Sequence, residues 1–379
     1  MHDIQTPYYL CDETLLEKNL KILQDVQNRS GAKIIVALKG FAMFSTFPLV
    51  ARYLDGCCAS GLHEARLAKE EFAKYNSEAE VHTYSPAFKE SEIQEIAKLS
   101  NHIVFNSPNQ LDRFLLKTKE INPKIQVSLR INPEVSSSPK DIYNPCGLYS
   151  RLGTPLKNID ESTLNSLDGL NFHALCEQNV DALEEVLVAF EKGFGKYFQN
   201  LKYINFGGGH HITKKDYDIE RLVCIIKEFC LKYQIDVYLE PGEAVGWESG
   251  YLVSTVLDVF ENGMHIAILD SSAEAHMPDT LAMPYRAEVR GAGVANEKKY
   301  TYRLGGNTCL AGDIMGDYSF DEPLKVGDEI IFEDQIHYTF VKNTTFNGIK
   351  LPSLVLKKLD GTIEVVKEFG YEEYKSRLS

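Results

Sequence analysis

The sequence predicts a (β/α)8 TIM-like barrel followed by a C-terminal antiparallel β domain, and three observations carry that expectation. From residue 33 onward, short β-rich apolar runs alternate with stretches whose apolar residues recur every three to four positions. About eight such pairs fit before residue 248, the number that closes a parallel barrel. After Glu248 the alternation gives way to strand-like segments separated by turns. A chain of 379 residues is long enough for a large barrel and a second domain.

The expected barrel strands are KIIVALK (Lys33 to Lys39), GCCAS (Gly56 to Ser60), AEVHTYS (Ala79 to Ser85), HIVFN (His102 to Asn106), KIQVSLRIN (Lys124 to Asn132), GLNFHAL (Gly169 to Leu175), KYINFGG (Lys202 to Gly208) and VYLEPG (Val237 to Gly242). Between them HEARLAKEEFAKY, SEIQEIAKL, VDALEEVLVAFEKGF and DIERLVCIIKEFCLKY read as helices. The barrel is expected over residues 14–247. The β domain takes 248–379, with YLVSTVLDVF, HIAILD, YTYRLG, EIIFED, HYTFVK and SLVLKKL as strands, together with 1–13, where YYLCD adds another. The stretch Pro133 to Pro145 (PEVSSSPKDIYNP) is rich in turn formers, and a long loop of this kind on a barrel is commonly functional or mobile.

The formal charge of −14 argues against a nucleic-acid partner. It suits a protein that attracts cations, or one that is acidic for solubility alone. The opening MHDIQTPYYL lacks a basic region leading into a long apolar stretch, and no run approaches the ~20 apolar residues of a membrane span. A cytoplasmic protein with no membrane partner is expected. Eight scattered cysteines without a CxxC pair read as reduced thiols. Cys57 and Cys58 point to opposite faces of a strand, and no metal site is expected.

Catalytic groups of a barrel sit where its strands end. Lys39 closes the first run; it either snorkels to solvent or serves as a Schiff-base lysine, which needs a partly desolvated amine of lowered pKa. Gly207, Gly208 and Gly209 follow YINF and precede His210 and His211, forming either a flexible turn or a loop whose backbone approaches a phosphate. Glu240 of LEPGE is a surface or core-pairing carboxylate, or else a group that holds a pyridinium proton. His173 ends NFHA, where a hydrogen-bonded core histidine is the plainer reading. All of these fall at strand ends in one chain, which favours a site over separate coincidences.

Those segments, in the order VALKG, CCASGLHEA, SLRINP, SRLG, NFHALCE, NFGGGH, LEPGEA, GNTCLAGD and IHYTFVKNTTFNG, resemble the alanine-racemase-like (fold type III) PLP enzymes, the group containing ornithine and diaminopimelate decarboxylases. The resemblance covers nearly the whole chain and implies a decarboxylase that uses pyridoxal 5'-phosphate. By that resemblance Lys39 would carry the cofactor as a Schiff base and His173 would stack on its ring. Gly207 to Gly209 with Tyr338 of HYTF would hold the phosphate, and Glu240 would pair with the ring nitrogen. Cys309 of NTC would donate a proton from the neighbouring subunit of a homodimer whose active site is shared.

Two departures bear on the substrate. Glu243 stands where the ornithine and diaminopimelate enzymes have an arginine after EPG, and Cys57 stands where ornithine enzymes carry an Asp before Cys-Ala-Ser. Arginine to glutamate reverses the field at the distal end of the pocket and favours a cationic tail. Asp279 of HMPD adds a second anion, and Asp313 of GNTCLAGD is placed with them as substrate-binding. Within that group HMPDTLAMPYR (His276 to Arg286), EPGE and GNTCLAGDIMGDY resemble the enzymes that act on carboxypolyamines, so the resemblance implies carboxynorspermidine or carboxyspermidine, met in polyamine biosynthesis, as substrate. A decarboxylase of ornithine, lysine, arginine or diaminopimelate remains open, as does a PLP carrier protein, which the C-terminal domain and Cys309 disfavour.

Overall fold

In the computed structural model, which describes residues 4–136 and 141–379, the chain forms two compact units, Glu17–Val245 and Met1–Leu16 with Gly246–Ser379. The middle of the Pro133 to Pro145 stretch, residues 137–140, lies outside the described residues. Strand β1 (Tyr8–Asp12) runs directly into helix α1 (Glu13–Ser30).

The larger unit contains β2 (Lys33–Ala37), β3 (Gly56–Ala59), β4 (Glu80–Tyr84), β5 (His102–Phe105), β6 (Gln126–Asn132), β7 (Gly169–Asn171), β8 (Tyr203–Asn205) and β9 (Asp236–Leu239). Each pairs in parallel with the next, and β9 returns to β2 through Tyr238↔Lys33 and Leu239↔Ile34, so the sheet closes into a barrel. The strands stop short of their apolar runs. As a result Lys39, His173, Gly207 and Glu240 lie just past the last residues of β2, β7, β8 and β9, on the connecting turns.

Strands that are not neighbours can meet only through the barrel interior. His102 of β5 lies 4.6 Å from Tyr203 of β8, ring centre to ring centre, and Glu80 of β4 accepts from Lys33 of β2 and Tyr238 of β9. These residues stand at strand starts, so a polar layer fills the N-terminal end of the barrel. The opposite end carries the residues with chemical potential.

Outside the strands lie α2 (Pro108–Ile121), α3 (Val180–Phe194) and α4 (Ile219–Tyr233). Side chains of Ser107, Asn179 and Asp218 accept from backbone N–H groups at their starts, which satisfies donors that a helix leaves unpaired. On α3, Leu183, Val186, Leu187, Phe190 and Phe194 recur at helical spacing and are buried. Phe190, Phe198, Phe229 and Tyr233 continue the seam with ring centres 4.8 to 5.6 Å apart.

The smaller unit adds β10 (Gly250–Glu261), β11 (His265–Leu269), β12 (Tyr300–Gly305), β13 (Ile314–Phe320), β14 (Glu329–Glu333), β15 (Ser353–Lys357) and β16 (Ile363–Lys367) to β1. The expected antiparallel sheet is mixed: β1 runs parallel to β15 and β11 parallel to β12. Parallel neighbours need long connections, and residues 270–299, with short helices at Ala273–His276 and Asp279–Ala282, supply one between β11 and β12. HYTFVK, expected as a strand from its aromatic and β-branched content, forms a short helix, α5 (Tyr338–Val341). Phe340 packs edge-on against Tyr9 at 5.6 Å, so packing outweighs propensity there.

Candidate active site

Lys39 is fixed by a tight turn in which Gly40 and Phe41 donate to Ala37 O and Leu38 donates to Cys58 O. A side chain at Gly40 would come within 2.9 Å of Gly242 Cα, so this turn presses against the one that follows Glu240. Lys39 Nζ lies 3.4 Å from His173 Nε2. Gly208 N donates to His173 Nδ1 at 3.1 Å, which leaves the ring proton on Nε2, facing Lys39. The Lys39 side chain is exposed at the barrel mouth, but the surrounding barrel end partly desolvates its amine. That desolvation lowers its pKa, and the Arg130 guanidinium adds to the effect. His173 is likewise held well below its ordinary value, first by burial and then by the charges of Lys39 and Arg130. The result favours a neutral amine beside a neutral imidazole.

Arg130, in the middle of β6, is a site residue that the sequence reading passed over. It is buried, donates to His173 O at 3.1 Å and stacks over the Tyr84 ring at 4.6 Å. A charge inside the apolar run SLRIN was the available signal, since a buried arginine requires partners.

Glu240 is buried and accepts from Asn205 Nδ2 at 2.7 Å, and its charge raises the pKa of the neighbouring Cys58 thiol after burial has done so. Cys58 clusters with Ile35 and Ala37, whereas the adjacent Cys57 feels Glu64. The glycine loop is wedged between the ends of β7 and β9. A side chain on Gly207 would lie 2.3 Å from Phe172 O, on Gly208 2.3 Å from Glu240 O, and on Gly209 2.2 Å from Leu175 O; Gly207 and Gly209 also have φ of +71° and +86°. Gly207 N is spent on Asn205 Oδ1 and Gly208 N on His173, so the loop's approach to an anion falls to Gly209 and the residues after it. Glu243 is half-buried, 3.1 Å from His211 Nε2, and these two lie in one cluster with Glu177.

The other expected site residues belong to the smaller unit. Asp279 is 2.6 Å from Lys342 Nζ, and that ammonium also lies over the Tyr338 ring at 5.5 Å. Cys309 is exposed, with its backbone N–H on Asn347 Oδ1 at 2.7 Å. Asp313, expected to bind substrate, is 4% exposed and spends its carboxylate internally. It accepts from Ser272 Oγ, the backbone N–H groups of Ala273, Glu274 and Thr308, and Thr308 Oγ. Its observed work is to clamp the loop that bears Cys309.

A lysine of depressed basicity at the mouth of a closed parallel barrel suits an amine that forms a Schiff base. The chain belongs to the pyridoxal-dependent decarboxylases: the family described as "Pyridoxal-dependent decarboxylase, C-terminal sheet domain" matches residues 8–335. It is 54% identical to the carboxynorspermidine/carboxyspermidine decarboxylase of Campylobacter jejuni subsp. jejuni serotype O:6, over 99% of this chain and 98% of that one. It is 43% identical to the carboxyaminopropylagmatine decarboxylase of Synechocystis sp., over 100% and 96%. The crystal structure of the Campylobacter jejuni carboxynorspermidine decarboxylase complexed with norspermidine superposes with a TM-score of 0.91 at 52% identity, covering 99% of this chain and 100% of that one. The cofactor is pyridoxal phosphate, and the larger unit fits it: an amine of lowered pKa for the aldehyde, a buried carboxylate for the ring nitrogen and a side-chain-free loop for the phosphate.

Proposed function

We propose that the protein decarboxylates carboxynorspermidine and carboxyspermidine, releasing CO2 with norspermidine or spermidine, and that it does so as a cytoplasmic homodimer. The carrying observation is Glu243: three residues beyond Glu240, at the barrel end that bears Lys39, this site presents a carboxylate and suits a cationic tail. The 54% identical relative with that named activity supports the same substrate. The eight free thiols suit a reducing compartment.

Lys39 would hold the cofactor through its amine, and the same amine could move a proton at the reacting carbon. His173 lies beside Lys39 and would orient the ring, and Glu240 would hold a proton on the ring nitrogen. Gly209 and the backbone after it would hold the phosphate. Pyridoxal phosphate, when bound, supplies the electron sink that lets a carboxylate leave as CO2. Glu243 holds an ammonium group of the substrate's tail. Cys309, supplied across the dimer, or Lys39 returns a proton to Cα.

A guanidinium-tailed substrate is the second reading, favoured by the 43% identical relative, and it uses the same carboxylate. Glu243→Gln tests the reading: KM for carboxynorspermidine should rise ~10-fold or more with kcat nearly unchanged, as expected on losing a charge-assisted contact made equally in ground and transition states. An unchanged KM removes Glu243 from the substrate site. Lys39→Ala that still attaches the cofactor at another lysine removes the whole assignment.

A further inference from the structure

Asn205 closes β8, is 1% exposed, and its amide bonds toward two parts of the cofactor site at once. Nδ2 donates to Glu240 Oε1 at 2.7 Å, while Oδ1 accepts from Gly207 N at 2.8 Å. Glu240 N returns a bond to Gly207 O at 2.8 Å, and a side chain on Gly208 would strike Glu240 O at 2.3 Å. The amide orientation is determined by these partners. Turned over, it would set its carbonyl against a carboxylate and its NH2 against a backbone N–H, replacing two bonds with two repulsions.

We propose that Asn205 is a positioning residue that couples the two ends of the cofactor site. One rigid amide plane fixes the first glycine of the loop and one oxygen of Glu240, so the other carboxylate oxygen points in a set direction at a set spacing from the loop. A buried carboxylate without that anchor would rotate about its own side chain, and its contact with a ring proton would loosen. The inference rests on the assignment of Glu240 and Gly207 to Gly209 given above, and adds to it a residue that touches neither substrate nor reacting atoms.

Two variants separate the two halves of the coupling. Asn205→Asp keeps an acceptor for Gly207 N–H but turns an oxygen toward Glu240; Asn205→Ala removes both contacts. Apo forms of wild type, both variants and Glu240→Gln are titrated with pyridoxal phosphate, recording Kd, the visible absorbance bands and the unfolding temperature, and kcat and KM are measured on carboxynorspermidine. Asn205→Asp should bind cofactor within about 3-fold of wild type, show a changed balance of visible bands, and lose about 10- to 100-fold in kcat with KM nearly constant, the usual scale for a group that orients a reacting partner. Asn205→Ala should in addition bind cofactor at least about 10-fold more weakly. Wild-type bands and kcat in Asn205→Asp overturn the proposal, as does a loss of kcat that disappears in assays run well below the variant's unfolding temperature. If Glu240→Gln also behaves as wild type, the assignment of Glu240 has failed; if Glu240→Gln is impaired while Asn205→Asp is not, the coupling alone has failed.

Discussion

Lys39 can capture an aldehyde only as a neutral amine, and burial together with the Arg130 charge pushes it toward that form. The sign gives a test. Removing the positive charge relieves the repulsion, so Arg130→Gln should raise the pKa of Lys39 and move the pH midpoint of cofactor capture by the apo protein upward; an unmoved midpoint contradicts Arg130's part in tuning the amine. Lys39, His173 and Glu240 were legible because each ends an apolar run, where a barrel exposes its chemistry. Arg130 and Asn205 were not, because each lies within a strand and declares itself only through partners from other strands: Arg130 on His173 O, Asn205 on Glu240 and Gly207.

The glycine loop illustrates what an element adds to its residues. Its three glycines look like a phosphate cradle, yet each also lacks a side chain because a carbonyl oxygen of a neighbouring turn occupies that space. The GNTCLAGD loop is similar: Asp313 looks like a pocket carboxylate and is engaged instead by three backbone N–H groups and two hydroxyls. Asp313→Asn should therefore cost about 2–4 kcal/mol in unfolding, since one oxygen becomes a donor facing donors, and leave KM for substrate near wild type. A native-like unfolding temperature with a tenfold higher KM would restore Asp313 to the substrate site. Among helices, α3 and α4 are legible from periodicity, and Ser107 with Pro108 marks the start of α2. α5 was read as a strand because its aromatic and β-branched residues carry the wrong local signal, and only Phe340's packing on Tyr9 corrects it.

At the scale of the whole chain, the switch from alternating units to successive strands was enough to read a barrel and a sheet domain. The mixed character of the sheet was not, because β1 and its parallel neighbour β15 are joined through almost the entire sequence. Buried histidines distribute a pH dependence across both units. His102 is held down to about 2, and His210 and His276 to about 4, all by burial first. Each folded value lies below the unfolded one near 6.5, so the unfolded chain takes up protons first as pH falls, and stability that is full above ~6.5 declines from there toward the folded values, at up to ~1.4 kcal/mol per pH unit for each group. The unfolding temperature of the apo protein should fall steadily from pH 7 to 5; a flat profile contradicts neutral burial of these rings. The substrate remains the central claim, and CO2 and amine release by the cofactor-loaded protein tests it most directly. The substrates are carboxynorspermidine, carboxyspermidine, the carboxyaminopropylagmatine of the 43% identical relative, diaminopimelate, ornithine, lysine and arginine. The account predicts that the first two are turned over with kcat/KM at least ~100-fold above ornithine and diaminopimelate, the factor expected from a well-placed charge-assisted contact to the tail. Turnover of ornithine or diaminopimelate with no release from either carboxypolyamine would contradict it.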